Sequence, residues 1–463
     1  MLSALSVNGQ ENNADAVVAR LVEQGIDVVR VIYPDFFGTD RGRDIPVEEL
    51  PHVMRHGLAF CRAIYHTTTL GGVTPVAGGL ASGLPDIVVY PDLSTVVLLP
   101  WEPGVAQCIG DAYESVRDQD GRLRLCPDSP RSVLRRVVAL CQQVGLTAVV
   151  GPELEFFLLE QDDDPASATG WRRYGEAPGN VYVVGRRGDP ANMLVTLLRQ
   201  IRALGIDATA ANHEFCSGQF EINLLHSEAL DSADRAFRLR AAVKELARID
   251  GLLATFMGKP FNDEGGSGFH LHVSLVDGDG ANVMADEDSA DGLSGLAHQA
   301  IAGVLRHAPA IAALANPTVN SFKRLRPDSL APFLVDWGLD NRSAMVRIPP
   351  ERGDGARLEI RLGDASANAY LLTAAVLAAM YLGVKEGLTP PPALEGYGYD
   401  PAAAEQLPVS FDAALAALGS DKVLGEVLGE QFVDAYLDFK LAEVDRFRTW
   451  VTDWEFREYA YHL

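Results

Sequence analysis

Residues 151–159 read GPELEFFLL, and this stretch sets a pattern that recurs along the chain. Side chains alternate between the two faces of a strand, so Glu153 and Glu155 share one face while Leu154 and Phe156 take the other. Three later segments repeat this alternation: GQFEINLL (218–225), GFHLHVSL (268–275) and ARLEIRL (356–362). We therefore predict a sheet containing four strands that each carry polar residues on one face.

The polar faces of these strands hold glutamate, histidine and arginine rather than the threonine, lysine and serine of an ordinary surface strand. A single such strand is typical of an antiparallel sheet with one face in water. Four of them facing one another would instead line a cavity with carboxylates, which cannot all be ionised there without cations. Oxygen ligands with a single nitrogen favour Mg²⁺ or Mn²⁺ over zinc or copper.

Two loops add basic residues, and these are Lys323, Arg324, Arg342, Arg347, Arg352 and Arg357. An arginine cluster alone is more typical of a solvated face or a salt-bridge network. Beside a cavity of carboxylates and metal, it favours an anionic substrate such as ATP. The sequence has no GxxxxGK[ST] loop and no GxGxxG between strand and helix. Side chains and metal would therefore hold any nucleotide.

The composition indicates a folded protein with more than one ordinary core, since the chain has 463 residues of which 48% are hydrophobic. Its net charge of −24 argues against nucleic acid and anionic membranes as partners. The five cysteines lack CxxC spacing, and no secretory signal is evident. The longest apolar stretch, 371–384, is shorter than the roughly 20 residues that span a bilayer. We expect a cytoplasmic protein.

The segment GRLRLCPDSP indicates a boundary near residues 121–130, where Ser129 can cap a helix that begins at Pro130. Before it we predict a helix at 13–25 and three strands at 27–33, 86–90 and 94–101. A Gly/Pro-rich loop is predicted at 71–85. After it we predict strands near 147–159, 217–225, 269–275 and 356–362. The helices of this larger part are predicted near 190–204, 231–250, 293–314 and 365–385, with further helix in 401–463. The fold class is therefore α+β.

Six segments resemble sequence blocks of the glutamine synthetase family and follow one another in the family's order: GPELEF, HEFCSGQFEIN, GGSGFHLHVSL, NPTVNSFKRL, NRSAMVRIP and RLEIRLGDASANAYL. The resemblance extends over nearly all of residues 25–460. It implies an ATP-dependent ligase. In that family the side-chain carboxylate of glutamate attacks the γ-phosphate of ATP, and an amine then displaces phosphate from the acyl phosphate.

The resemblance also implies roles for individual residues. Two to three Mg²⁺ or Mn²⁺ ions would be held, one by Glu155, Glu214 and Glu221 and another by Glu153, His270 and Glu359. Glutamate would be bound near Gly266 by Arg324 and Arg361. The nucleotide and its phosphates would be bound by His272, Ser274, Arg342, Arg347 and Arg357. Catalytic roles are implied for Arg342 and Arg361. Replacing Glu359 by alanine should abolish turnover and leave the fold nearly intact, because it also relieves repulsion between carboxylates.

The fold and assembly of the family are implied as well. We expect a β-grasp-like N-terminal domain with a leading helix over residues 1–122. We expect a catalytic domain with an antiparallel, barrel-like sheet and helices over residues 123–463. The assembly would be a homo-oligomer, a dodecamer of two hexameric rings with active sites shared between subunits.

Two departures from the family concern the acidic groups that form its ammonium pocket. Where the family reads FDGSS, this chain reads GLAFCRAIYHTTT, with Cys61 and Arg62 in place of Asp-Gly. Where the family reads VPGYEAP, this chain reads RPDSLAP, which puts Leu330 at the position of the glutamate. The residues expected to bind metal and phosphate remain, so the first half-reaction would be kept while the amine is changed.

Two smaller departures accompany these. The family's NGSG becomes Gly265-Gly266-Ser267-Gly268, which loses an asparagine. The motif used for adenylylation ends in Asp400-Pro401, so regulation through Tyr399 is not expected.

The favoured hypothesis is a ligase that joins glutamate to a small primary amine resembling ethanolamine, with His66 a candidate base. A polyamine substrate is an alternative, although extra positive charges would favour added rather than lost acids. An ordinary glutamine synthetase is another, with its acid supplied by an unaligned residue such as Asp328. A third class is an inactive relative that senses nitrogen, but such a protein has no chemical reason to keep six mutually repelling ligands.

Overall fold

A computed structural model of the chain describes residues 7–116, 121–164, 167, 169–175 and 180–463. The strands are β1 (Val28–Pro34), β2 (Asp40–Pro46), β3 (Leu58–Cys61), β4 (Asp86–Pro91), β5 (Val97–Leu98), β6 (Val105–Glu114), β7 (Thr147–Gln161), β8 (Trp171–Arg173), β9 (Ala208–His213), β10 (Gln219–Leu224), β11 (Ser227–Glu228), β12 (Leu253–Thr255), β13 (Phe269–Val276), β14 (Trp337–Leu339), β15 (Val346–Ile348) and β16 (Leu358–Ile360).

The helices are α1 (Val7–Glu23), α2 (Leu50–His56), α3 (Pro130–Gln143), α4 (Met193–Ala203), α5 (Ala229–Ile249), α6 (Gly295–Ala315), α7 (Ala369–Glu386), α8 (Phe411–Ser420), α9 (Lys422–Leu428), α10 (Glu430–Arg448) and α11 (Asp453–Tyr459). Helices and strands alternate irregularly, and the strands form two separate sheets, so the protein has a mixed α and β fold.

The first sheet has six strands, in the order β2-β1-β6-β4-β3, with β5 also paired to β6. Strands β1 and β6 are parallel and the other pairs are antiparallel. The predicted strand at 94–101 is wrong in extent, because a single 3-10 turn (Leu93–Thr95) precedes the two residues of β5. Asp92 caps that turn by accepting from the Ser94 amide, which ends strand geometry there.

The second sheet has ten strands, in the order β14-β15-β16-β13-β7-β10-β9, with β8, β11 and β12 also paired to β7. The prediction of an antiparallel sheet is correct except at one edge, where β14 and β15 are parallel. The long strand β7 lies between β10 and β13 and is antiparallel to both. The division that we propose after residue 122 falls between the two sheets.

Helices α6 and α7 pack so closely that glycine is required at their crossing. A β-carbon at Gly303 would lie 2.1 Å from the Ala379 carbonyl oxygen, and one at Gly383 would lie 2.1 Å from that of Gln299. By length and composition α7 is the one helix of the described residues that could cross a membrane. However, 78% of its apolar window is buried within the protein, as expected of a core helix.

Candidate active site

Neighbouring strands of the second sheet place acidic residues directly opposite one another. Glu155 on β7 lies opposite Glu221 on β10, and Glu153 lies opposite His270 on β13. Alternation along each strand sends these polar side chains to one face, while neighbours such as Leu154 are buried in the core. Potential ligand atoms of Glu153, Glu221 and His270 all lie within 4.8 Å of one another.

The carboxylates of this face destabilise one another's ionised forms. Burial, together with the charges of Glu153, Glu155 and Glu214, raises the pKa of Glu221 to about 9. Burial and the charge of Glu155 raise the pKa of Glu214, on the loop after β9, to about 7. A cation among them would remove this repulsion.

Two other carboxylates of the face keep their negative charge because cationic groups and hydrogen-bond donors surround them. Burial opposes ionisation of Glu153, but hydrogen bonds with His270 and His272 outweigh it and lower its pKa. Burial also opposes ionisation of Glu359, but the charge of Arg361, together with that of Arg347, outweighs it and lowers the pKa of Glu359 to about 2. The cavity therefore contains carboxylates of two kinds.

Side-chain amides orient three of the acids. Glu155 accepts hydrogen bonds from the Gln219 amide at 3.0 Å and from the Gly268 backbone at 2.8 Å. Asn212 donates to Glu214 at 2.7 Å and Asn223 to Glu221 at 3.1 Å. None of these amides was predicted from the sequence to take part in the site. Gln219 and Asn223 share the polar face of their strand, and this alternation could have identified them. The sequence around Asn212 shows no comparable pattern.

The arginine expected to bind glutamate lies at the edge of this face. Arg324 is buried, and burial lowers its pKa. A β-carbon at Gly266 would lie 2.8 Å from the Arg324 Cγ, and one at Gly268 would lie 2.6 Å from the His270 Nε2. Glycine at both positions therefore leaves room for the arginine and the imidazole.

A cavity of about 680 Å³ opens beside Glu153. Among its lining residues are three for which the sequence implied nucleotide contacts: His272, Ser274 and Arg357. Its other walls come from β7, from β9 and β10, and from the loops after β13 and before β16. The cavity is large enough for a small-molecule substrate.

The remaining arginines separate into two groups. Arg347 and Arg361 are buried and both donate to the Glu359 carboxylate, and Arg347 also donates to Asp340 at 2.7 Å. Arg342 is exposed, and within the described part of the chain its guanidinium makes no hydrogen bond or ion pair. The structure therefore brings Arg347 and Arg361 to the carboxylates and leaves Arg342 outside them.

The loop that carries Leu330 is held by two tyrosines. Leu330 is 51% exposed and has a positive φ of 58°, as does Asp328 at 62°. Tyr399 is buried and donates to the Ala331 carbonyl oxygen at 3.1 Å, and its electrostatic neighbours include arginines 324 and 361. The exposed Tyr397 donates to Asp328 at 2.5 Å. The leucine thus lies on a strained loop near the arginine edge of the site.

The altered loop after β3 carries two buried polar side chains, Arg62 and His66. Arg62 is buried and donates to Asp128 at 2.8 Å. His66 is buried completely, with its Nε2 3.7 Å from Asp128 and its ring against Phe36. Burial lowers the pKa of His66. The candidate base is thus enclosed, because this segment packs onto the loop before α3 rather than facing solvent.

The donor atoms of the site fit hard divalent cations. Five carboxylates and one imidazole come together on one face: Glu153, Glu155, Glu214, Glu221, Glu359 and His270. Mg²⁺ and Mn²⁺ prefer oxygen ligands, and the mutual repulsion of the acids is relieved when such an ion binds.

The chain is similar to known proteins over most of its length. Residues 127–459 match the family described as "Glutamine synthetase, catalytic domain". A curated relative, the glutamine synthetase of Halobacterium salinarum, is 34% identical over 97% of this chain and 96% of its own length.

Two solved structures share the fold. A complex of GmaS with ADP has a TM-score of 0.83 and 31% identity, and GmaS without ligand has a TM-score of 0.82 and 30% identity. Each alignment covers 96% of this chain and 99% of the solved chain. Both the family match and the near full-length relatives lead to the same conclusion: this chain belongs to the glutamine synthetase family, whose members are ATP-dependent ligases that form carbon–nitrogen bonds.

Proposed function

We propose that this protein joins the γ-carboxylate of glutamate to a small primary amine, of which ethanolamine is the favoured type, and consumes ATP. The observation that carries this proposal is the contrast between the two halves of the site. The carboxylates and arginines expected to handle metal and phosphate are retained, whereas Leu330 and Cys61 occupy the positions of the acids that would bind ammonium.

Divalent ions, Mg²⁺ or Mn²⁺, would be held in two groups of residues. The first group is Glu155, Glu214 and Glu221, and the second is Glu153, His270 and Glu359. When bound, these ions supply positive charge that stabilises phosphoryl transfer. Glu153 borders both the acidic face and the 680 Å³ cavity, which suits a residue placed between metal and nucleotide.

The arginines would bind and orient the substrates. Arg324 and Arg361, at the edge of the acidic face, suit the two carboxylates of glutamate, because planar guanidinium groups pair well with carboxylates. The guanidinium of Arg342 is exposed and has no ion-pair partner among the residues that the structure describes, so it can approach a phosphate group. A carboxylate is a poor acylating agent until one of its oxygens becomes a phosphate leaving group. Binding energy in this site would therefore serve to form the γ-glutamyl phosphate.

The nature of the amine follows from the loop that carries Leu330. Leu330 offers an apolar side chain to an alkyl group and no acceptor to an ammonium ion. The likeness to GmaS supports γ-glutamyl-amine synthesis, whereas the name of the relative from H. salinarum favours ammonia as substrate. Against ammonia, the carboxylate of Asp328 already accepts a hydrogen bond from Tyr397. A polyamine would call for additional acids at this loop.

The assembly and location belong to the same proposal. Family members are oligomeric, and we propose a dodecamer of two hexameric rings with active sites shared between subunits. We also propose that the protein acts in the cytoplasm.

The test is release of ADP, measured with glutamate and ATP against a panel of ammonia, methylamine, ethanolamine, putrescine and spermidine. We expect the highest kcat/KM with a small monoamine and a low value with ammonia. A kcat/KM for ammonia equal to that for any alkylamine would establish an ordinary glutamine synthetase. Dominant turnover of putrescine or spermidine would establish the polyamine alternative, and no turnover with any amine would favour the inactive relative.

A further inference from the structure

Both ring nitrogens of His272 are engaged by charged side chains. The Arg357 Nε lies 3.1 Å from the His272 Nδ1, and the His272 Nε2 lies 2.9 Å from the Glu153 Oε1. These three side chains form a line along the wall of the 680 Å³ cavity.

The directions of these hydrogen bonds identify the tautomer of the imidazole. A guanidinium can only donate, so the Nδ1 of His272 must accept and cannot carry a proton. An ionised carboxylate can only accept, so the Nε2 must carry the proton and donate to Glu153. The network therefore assigns His272 as a neutral ring protonated at Nε2.

This assignment decides how Glu153 presents its carboxylate. One oxygen, Oε1, receives the proton of His272, and the other, Oε2, lies 3.5 Å from the His270 Nδ1. His272 itself lies near Glu153 and Glu359, close enough to belong to a metal site. However, the Nε2 of His272 carries a proton and cannot coordinate a cation. His272 therefore orients Glu153 rather than binding the ion.

We propose that Arg357 is a positioning residue that fixes the tautomer of His272 and thereby the orientation of Glu153 toward a divalent cation. This inference rests on the proposed metal site. It differs from the phosphate-binding role that the family resemblance implies for Arg357. The arginine is itself held in place, because it pairs with Glu351 at 3.2 Å and donates to the Gly355 carbonyl oxygen at 3.0 Å.

The chain offers a matched control on the same loop. Arg352 donates to the carbonyl oxygens of Asp291, Pro349 and Glu351 and makes no contact with His272. Arg352→Gln removes the same charge as Arg357→Gln from nearly the same place but leaves the His272 network intact. Arg357→Lys keeps a donor that can reach the Nδ1, so it should retain part of the effect.

The tautomer is measured on full-length, metal-free protein by solid-state ¹⁵N NMR with labelled histidine, and His272→Gln identifies the signals of residue 272. We expect a neutral imidazole protonated at Nε2 in the wild type and in Arg352→Gln. Arg357→Gln should contain a substantial fraction protonated at Nδ1, because the fixed donor to that atom is gone.

The affinity for Mn²⁺ is then measured by electron paramagnetic resonance titration without ATP. Loss of a residue that orients a metal ligand typically weakens binding about 10- to 100-fold. We expect a loss of this size at one site in Arg357→Gln, a smaller loss in Arg357→Lys and none in Arg352→Gln.

Two outcomes would overturn the inference: a wild-type His272 protonated at Nδ1, or Arg357→Gln matching Arg352→Gln within twofold in Mn²⁺ affinity. Failure of the proposed function has a different signature. In that case the tautomer and Mn²⁺ affinity respond as expected while the wild-type protein ligates none of the amines.

Discussion

Arg347 on β15 and Glu359 on β16 lie directly opposite each other, and the arginine donates a hydrogen bond to the buried carboxylate. Arg361 donates to the second carboxylate oxygen. Both oxygens of Glu359 are therefore held by cations before any metal binds. This differs from the expectation that replacing Glu359 leaves the fold nearly intact, because the nearest partners of Glu359 are arginines.

Replacing Glu359 by alanine should abolish turnover and also destabilise the fold. Breaking a buried ion pair from one side typically costs about 3–5 kcal/mol, because it leaves charge without a partner. Here two buried guanidiniums would lose their shared carboxylate. The midpoint of urea unfolding, measured at fixed protein concentration, should fall clearly for Glu359→Ala and less for Glu359→Gln, whose amide oxygen still accepts from one arginine. An unchanged midpoint for Glu359→Ala would contradict this account.

Gly268→Ala should weaken divalent-metal binding with little effect on the overall fold. The added β-carbon would lie 2.6 Å from the His270 Nε2 and 3.1 Å from both the Arg324 Nη2 and the Glu155 Oε1. All three are side chains that face the site, so they would be displaced first. Isothermal titration with Mn²⁺ measures the loss. The control is Gly295→Ala, where a β-carbon meets open space, and equal affinity in the two variants would refute the prediction.

Leu330→Glu should shift substrate preference toward ammonia. The ratio of kcat/KM for ammonia to kcat/KM for the alkylamine should rise at least about tenfold, which corresponds to about 1.4 kcal/mol. The new carboxylate would supply an acceptor for ammonium where the wild type has an alkyl side chain. Leucine and glutamate are equally strained at the positive φ of this position, so the backbone should not respond. Leu441→Glu, at a similarly exposed leucine on α10, is the control. No change relative to that control would argue against Leu330 as an amine contact.

Stability should fall with rising pH because of Asp336, which is buried and accepts from the Met345 amide at 2.7 Å. Burial raises the pKa of Asp336 to about 6. The folded chain thus keeps a proton that the unfolded chain loses near pH 4, and the associated stability, up to about 3 kcal/mol, is lost as pH rises through about 6.

Asp336→Asn lacks this titration. The difference in apparent Tm, variant minus wild type, should increase between pH 4 and pH 7 and then stay constant. A difference in Tm that does not vary with pH would show that Asp336 ionises normally in the folded chain.

Much of the site was predictable because alternation in a strand is a local property. The faces assigned to Glu153, Glu155, Glu221 and His270 depend only on a period of two, and the sheet bears them out. The long helices were predicted from local sequence for the same reason, with shifts of a few residues at their ends.

The partners of those residues were decided only by the tertiary structure. Strand register pairs Arg347 with Glu359, and long-range packing buries Arg62 and His66 against Asp128. The sequence alone determined which chemical groups share a face, since that follows from backbone geometry within a few residues. The fold decided which of them are paired, buried or exposed, because these depend on contacts between segments far apart in the chain, and no local pattern encodes such contacts.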